Sequence, residues 1–97
     1  MTKQSETRPV VVTTQHRGVF VGYTADPPGA EIVTLERGRM IVYWPTDVHG
    51  VLGLATHGPL QGSRVSPAVK SITLRNVTAI IEASPAAAEQ WEKEPWP

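Results

Sequence analysis

Apolar, β-branched residues occur in short runs over the first half of the chain, and turn residues separate these runs. Residues 10–14 and 19–23 form two such runs around a short polar break that contains Gly18. Two β-rich runs around a glycine-containing break predict a β-hairpin. The segment DPPG at residues 26–29 then predicts a turn, because proline cannot pair inside a sheet and glycine adopts a positive φ without strain.

Two further strands are predicted after this turn. The pattern indicates one strand at residues 31–35 and another at residues 40–44, where Pro45 stops the pairing. The polar segment ERGR at residues 36–39 predicts a tight turn between them. The first four strands are therefore expected to form an antiparallel meander.

A short helix is predicted after the fourth strand. Thr46 can cap its first turn, and Asp47 lies near the positive end of the helix dipole. The helix would cover residues 47–56. Gly50 and Gly53 each disfavour a helix by about 1 kcal/mol relative to alanine, so a packed loop over the same residues is the alternative.

The last strand is predicted at residues 71–82, after a loop at residues 60–67 that is rich in glycine, serine and proline. The apolar positions of this strand change parity near Arg75 and Asn76. Because successive side chains of a strand point to opposite faces, this change predicts a β-bulge.

A helix at about residues 85–93 ends the predicted fold. The serine-proline pair at residues 84–85 is typical of a helix start. A narrow apolar stripe formed by Ala87, Ala88 and Trp91 could dock this helix on the sheet or on a neighbouring subunit.

Together these elements predict a mainly β fold, namely a small five-stranded barrel of the SH3-like or Sm-like kind with one short inserted helix and a C-terminal helix. Residues 1–8 are polar and are expected to form a disordered lead-in. Residues 9–97 are expected to form a single domain with one core. Because the core of a 97-residue domain gives only marginal stability, the chain is expected to be a homo-oligomer.

The composition excludes several kinds of site and partner. The chain has no cysteine, which rules out disulfides and thiolate metal sites, and no cofactor is expected. Nine basic and nine acidic residues give a formal net charge of zero, so the overall charge does not favour nucleic acid or an anionic membrane. The apolar runs are too short to span a membrane, and the first residues lack the apolar core of a signal peptide. The expected location is the cytoplasm.

Basic residues in two of the predicted turns suggest a site for an anion. Alternate turns of a meander lie at the same end, which would bring His16 and Arg17 close to Arg37 and Arg39. Guanidinium groups bind phosphate or carboxylate through paired hydrogen bonds. The alternative is that these charged turns only keep the domain soluble.

The loop after the first helix and the end of the fourth strand provide further candidates. Residues 58–64 combine backbone freedom, a hydroxyl and a guanidinium, without the spacing of a Walker loop, and a plain connection is the alternative. Either Tyr43 or Trp44 could stack on a base, and the other must face the core. The complete set of candidate ligand-binding residues is His16, Arg17, Arg37, Arg39, Tyr43, Trp44, His57, Ser63, Arg64 and Ser66.

The histidines do not follow a known catalytic or metal-binding spacing. His49 and His57 are too far apart for a helical ligand pair, and Ser63 has no evident base. No catalytic residue and no metal ligand is therefore assigned. An enzyme that cleaves a nucleotide through His16, His49 or His57 remains open as a hypothesis.

Four segments resemble a small domain family of unknown function that is found in tailed phages and prophages. They are HRGVFVGY (16–23), YWPTDVHGVLGLATHGP (43–59), GSRVSPAVKSITL (62–74) and SPAAAEQWEKEPW (84–96). The resemblance covers nearly all of the chain after residue 8. It implies a compact phage protein in the cytoplasm of a bacterial host, and it supplies no catalytic residues.

The leading hypothesis is a phage-encoded, homo-oligomeric protein that binds a small anionic ligand, a nucleotide, without turning it over. By analogy with other small phage proteins, it would sequester a cyclic oligonucleotide-type immune signal of the host. The first alternative is a protein-interaction module that inhibits a host enzyme or serves a phage structure. Sm-like binding to RNA is disfavoured by the net charge of zero.

Overall fold

A computed structural model of the chain describes residues 7–15, 18–27, 29–44, 46–48, 50–59 and 63–93. Within these ranges the chain is mainly β, as predicted, and forms a six-stranded antiparallel sheet with two α-helices. The strands are β1 (Arg8–Thr14), β2 (Gly18–Thr24), β3 (Val33–Tyr43), β4 (Arg64–Val65), β5 (Val69–Leu74) and β6 (Val77–Glu82). The helices are a 3-10 helix (Thr46–Val48), α1 (Gly50–Thr56) and α2 (Pro85–Glu92).

The predicted first hairpin is confirmed. β1 and β2 pair antiparallel over their whole length, from Arg8 opposite Thr24 to Thr14 opposite Gly18. β1 is an interior strand of the sheet, since β6 pairs with its other side. This interior position explains the run of three valines at residues 10–12, all of which are fully buried.

The turn predicted at residues 36–39 is wrong, because these residues lie inside the 11-residue strand β3. Along the β2 pairing, two steps from Tyr23 to Val21 correspond to three steps from Glu36 to Arg39. The extra residue forms a β-bulge, and Arg37 takes the positive φ of 52° that the bulge requires. The polar segment ERGR therefore bends one strand instead of joining two.

The bulge predicted at residues 75–76 is instead a break, so the single strand predicted at residues 71–82 is divided into β5 and β6. β5 before it pairs with β3, whereas β6 after it pairs with β1. Asn76 between them has a positive φ of 57°. The change of parity in the sequence therefore separates two strands that have different partners.

The sheet curls strongly but is not closed into the predicted barrel. Its strands run in the order β4-β3-β2-β1-β6, and β5 lies beside β3. β5 and β6 thus belong to opposite sides of the sheet, although only two residues separate them along the chain. The sheet has to curl for this link to be made, and the Val77 N–H donates to the Glu31 carbonyl, at 3.2 Å, where the two sides approach.

Both predicted helices are present, with changes in detail. The segment expected to form one helix at residues 47–56 is divided into the 3-10 helix and α1, and α1 begins at Gly50, whose φ is 76°. α2 begins where predicted, and the Ser84 hydroxyl accepts a hydrogen bond from the Ala87 N–H at 3.0 Å. The same hydroxyl donates to the Thr56 carbonyl at 2.8 Å, which joins the two helices. In the predicted loop at residues 60–67, the short strand β4 pairs with the end of β3.

Buried side chains form two clusters instead of the single core that was expected. Because neighbouring residues of a strand point to opposite faces, Val11 belongs to one cluster and Val10 and Val12 to the other. The helix-side core consists of Val11, Val19, Val21, Ile41, Val48, Leu54, Ala55, Val65, Ala87, Ala88 and Trp91. The opposite core consists of Val10, Val12, Val33, Leu35 and Leu74.

The stripe predicted on α2 docks it on the sheet. Ala87, Ala88 and Trp91 are buried in the helix-side core, and Trp91 has no exposed surface. The Trp91 ring meets the Tyr23 ring of β2 edge to face, with ring centres 6.0 Å apart. This packing brings the end of α2 to the middle of the sheet.

Replacing Gly58 with alanine is expected to destabilise the fold more than the same change at Gly50. Both glycines have a positive φ, 79° and 76°. A Cβ added at Gly58 would lie 2.7 Å from the Ala87 carbonyl oxygen, whereas at Gly50 it would meet no described atom within 4 Å. In urea unfolding we expect losses of about 1 kcal/mol for Gly50→Ala and about 2 to 4 kcal/mol for Gly58→Ala. Equal losses would contradict the close packing of residue 58 on α2.

Candidate functional site

A cluster of polar side chains joins the end of α2 to the middle of β2 and β3. The Glu92 carboxylate accepts two hydrogen bonds from Arg37, from Nη2 at 2.6 Å and from Nε at 3.1 Å. It also accepts one from the Tyr23 hydroxyl at 2.9 Å and one from Arg39 Nη2 at 3.4 Å. We call these four residues the Glu92 cluster.

The two arginines of the Glu92 cluster differ in burial and therefore in what they can do. Arg39 is only 2% exposed, and its Nη1 donates to the Ser66 carbonyl at 3.2 Å. The Arg37 side chain is 58% exposed. Arg39 therefore acts as an internal link between α2 and the segment after β4, whereas Arg37 is accessible to a ligand.

The electrostatics of the Glu92 cluster favour the ionised carboxylate. Arg37 is the main cause of a lowered pKa of Glu92, and the Tyr23 hydroxyl acts in the same direction against the effect of partial burial. Burial and the neighbouring carboxylate raise the pKa of Tyr23 above 10.0. Because a negative charge at the C-terminus of a helix is unfavourable by itself, the arginines are what stabilise Glu92 at this position.

A groove of about 600 Å³ lies next to Arg37, over the paired strands β3 and β5. Its lining has two cationic groups, one carboxylate and two hydroxyls, contributed by Arg37, Lys70, Glu36, Thr34 and Ser71. The strand register places Glu36 opposite Ser71 and Gly38 opposite Val69. This register puts the backbone of Arg37 opposite that of Lys70, and both residues line the groove.

The structure brings some of the predicted ligand-binding residues together in two places along β3. Arg37, Arg39 and Ser66 lie at its middle, where the Ser66 hydroxyl accepts a hydrogen bond from the Met40 N–H at 2.8 Å. At its end, Tyr43 lies opposite Arg64 of β4, and both are exposed.

The remaining candidates lie elsewhere. Trp44 is partly buried and packs against the helix-side core, so it is the inward-facing member of the Tyr43 and Trp44 pair. His57 is exposed just after α1, and Ser63 is fully buried. His16 and Arg17 lie outside the described residues.

The argument that joined His16 and Arg17 to Arg37 and Arg39 does not hold, because it required a turn at residues 36–39. Arg39 instead lies opposite Val21, in the middle of β2. That these residues bind a ligand stays a prediction, but a meeting of two turns no longer supports it.

Sequence reasoning missed several residues that shape this region. Thr34, Glu36, Lys70 and Ser71 of the groove were not in the candidate set, because residues 69–74 were not predicted to pair with β3. The change of parity at residues 75–76, taken as a strand end, would have separated β5 from β6. The position of Glu92 could also have been noticed in the sequence. A negative charge in the last turn of a helix is unfavourable by itself, so a basic side chain is expected close to it.

Two further observations concern the described residues alone. In that part of the chain no group of three or more histidines or acids is placed to share a metal ion. None of its helices is long and apolar enough to cross a membrane.

Acidification is expected to weaken the contact between Glu92 and the sheet. Because the pKa of Glu92 is lowered on folding, its contribution to stability is complete above its ordinary pKa of about 4.5 and is lost as the pH falls through the lowered value. We expect the free energy of unfolding in urea to fall with acid more steeply for the wild type than for Glu92→Gln, whose amide does not titrate.

Tyr23→Phe is the control for this experiment, since it leaves the carboxylate and its arginines in place. It should retain the steep dependence on acid. Parallel pH curves for the wild type and Glu92→Gln would contradict a stabilising role of the ionised carboxylate.

Comparison with known proteins identifies a family but no activity. No curated protein and no solved structure matches the chain. Residues 7–91 match a family described as a domain of unknown function, DUF6948. The matched range contains all six strands and most of α2. The chain therefore belongs to the DUF6948 family of domains of unknown function.

Proposed function

We propose that this domain binds a small phosphate-bearing ligand, of the nucleotide class, in the groove over β3 and β5. The observation that carries the proposal is that two exposed cationic side chains, Arg37 and Lys70, line this groove. Two cationic groups at one groove attract an anionic ligand, because a charged donor forms stronger hydrogen bonds to phosphate oxygens than a neutral one.

The other groups of the groove support a ligand that carries hydroxyls as well as a phosphate. A guanidinium and an ammonium are the groups that most often bind phosphate oxygens. The Glu36 carboxylate and the Ser71 hydroxyl, both exposed, can accept hydrogen bonds from sugar hydroxyls. The volume of about 600 Å³ is in the range of small-molecule sites. A nucleotide combines both kinds of group at this size.

Glu92 acts as an internal competitor of the ligand in this proposal. Its carboxylate makes two hydrogen bonds to Arg37, in the paired geometry that a phosphate would also use. A phosphate in the groove therefore shares or displaces this contact. Binding is moderated by the strength of the Glu92 pair, whereas Lys70 is exposed and contributes directly.

The biological role that we propose is sequestration of a nucleotide signal without turnover. The resemblance to domains of tailed phages and prophages supports a phage-encoded protein that acts against a nucleotide immune signal in the host cytoplasm. The order of strands with an inserted helix supports kinship with SH3-like folds. A homo-oligomer would multiply the sites available for sequestration.

Replacing Lys70 with methionine is expected to weaken ligand binding. Isothermal titration of the wild type with adenosine monophosphate, cyclic di-AMP and cyclic tri-AMP should detect binding of at least one. Lys70→Met should raise the dissociation constant of that ligand at least about tenfold, since it removes one charge-assisted contact. Arg75→Met, which removes an exposed positive charge outside the groove, should leave it unchanged. Absence of binding by all three nucleotides would refute the proposal.

Replacing Glu92 with glutamine is expected to tighten binding of the same nucleotide several-fold at pH 7. The amide no longer competes with phosphate as an anion at Arg37, although the variant is less stable. Tyr23→Phe keeps that competition and should bind like the wild type. Weaker binding by Glu92→Gln in the same titration would show that the carboxylate helps to position Arg37 instead of competing for it.

A further inference from the structure

β5 is an edge strand of the sheet. It pairs antiparallel with β3, from Val69 opposite Gly38 to Leu74 opposite Val33. None of the other strands that the structure describes pairs with its outer side. Alternate N–H and C=O groups of an edge strand have no partner within the sheet. β5 therefore presents six residues of extended backbone with which a further strand can pair.

The other edges of the described sheet are less suited to take a strand. β6 also has a single strand partner, β1, but Gly29, Ala30 and Glu31 line the cavity along its outer side. The Val77 N–H, at the start of β6, already donates to the Glu31 carbonyl at 3.2 Å. β4 has only two residues. Within the part of the chain that the structure describes, β5 is therefore the better acceptor.

Two apolar side chains of β5 would gain contacts from an added strand. Ile72 is only partly buried and packs against the opposite core. Val69, at the start of β5, is 48% exposed. A strand placed beside β5 covers more of both side chains, and the burial of apolar surface stabilises the pairing in addition to the main-chain hydrogen bonds.

The charges along this edge select the kind of partner. Residues 70–75 read KSITLR, so a positive side chain lies at each end of four uncharged residues. Both Lys70 and Arg75 are exposed. If two copies of the chain paired antiparallel over this length, Lys70 would face Arg75 of the partner subunit at both ends, and like charges in that position are unfavourable. The edge therefore opposes pairing with itself and favours a strand that carries negative charges.

We propose that β5 binds an extended acidic segment of another protein, which joins the sheet as a further antiparallel strand. The segment has an acidic residue near each end, opposite Lys70 and Arg75, and uncharged residues between them. Main-chain hydrogen bonds then provide the affinity, and the two charge pairs provide the selectivity. This interaction goes beyond nucleotide binding and does not rest on it.

The test is a titration of the isotope-labelled full chain with synthetic peptides at pH 7, followed through its amide signals by NMR. The probe is acetyl-ETVTVE-amide, and the control peptide has glutamine in place of both glutamates. We expect the acidic peptide to shift the signals of residues 69–74 until they saturate, with a dissociation constant at least about tenfold lower than that of the control. No shift with the acidic peptide, or equal affinity for both peptides, would overturn the proposal.

Methylation of the peptide nitrogens distinguishes strand addition from simple attraction between charges. Alternate N–H groups of an antiparallel strand point to the same neighbour. Methylating the alternate set that faces β5 should abolish binding of the acidic peptide, whereas methylating the other set should have little effect. If the two methylated peptides bind equally, the segment is not held as a strand and the proposal fails.

Variants of the chain test the charge pairs. Arg75→Glu should raise the dissociation constant of the acidic peptide at least about fivefold. Arg64→Glu is the matched control, since Arg64 is an exposed arginine of β4, and it should leave the constant unchanged. The double variant Lys70→Glu with Arg75→Glu should instead prefer acetyl-KTVTVK-amide.

Two further results would count against an acidic partner. One is an equal loss of binding in Arg64→Glu and Arg75→Glu. The other is a broadening of the β5 signals with protein concentration when no peptide is present, which would show that a second copy occupies the edge. Because Arg75 lies outside the nucleotide groove, a failure of Arg75→Glu to weaken peptide binding leaves the proposed nucleotide site untouched.

Discussion

A carboxylate at the end of α2 and two guanidinium groups of β3 form the contact on which the rest of the arrangement depends. Arg39 lies in the interior, where an unpaired charge would cost several kcal/mol. Glu92 offsets that cost and, in return, keeps its own charge at a helix end where the dipole opposes it. The pair therefore fixes where α2 ends relative to the sheet, and with it the position of Trp91 over Tyr23.

The β-bulge at Arg37 is what makes this contact geometrically possible. In a regular strand the side chains at residues 35 and 39 would point to the same face. The extra residue of the bulge shifts this alternation, so Leu35 packs in the opposite core while Arg39 points to the helix side and reaches Glu92. A single backbone irregularity thus lets two arginines of one strand reach the same carboxylate, one of them buried and the other exposed.

Local patterns predicted the parts of the fold that local physics determines. The hairpin of β1 and β2, the start of α2 at Ser84 and the interruption at residues 75–76 all depend on residues close in sequence. The long strand β3 was missed because ERGR is compatible with both a turn and a bulge. The pairing of this segment with β2 on one side and with β5 on the other decides in favour of the bulge. β5 lies far away in the sequence. The open sheet was missed for the same reason.

The candidate site was predictable only in its chemistry. The arginines at residues 37 and 39 were candidates from the sequence, but the pattern could not reveal that Glu92, more than fifty residues later, pairs with the guanidinium of Arg37. Lys70 was part of an acid-free stretch of the sequence. Its position opposite Arg37 depends on the register of β3 with β5, and residue types alone do not determine a register.

The two-residue link between β5 and β6 also has a consequence for synthesis of the protein on the ribosome. Strands that follow each other along the chain usually pair with each other. Here β6 pairs with β1, the first strand to be synthesised, and β5 pairs with β3. The central strand β1 therefore has a partner on only one side until residue 82 has left the exit tunnel. Until then its three consecutive valines remain a surface that a chaperone could recognise, and the domain acquires its final sheet late and nearly all at once.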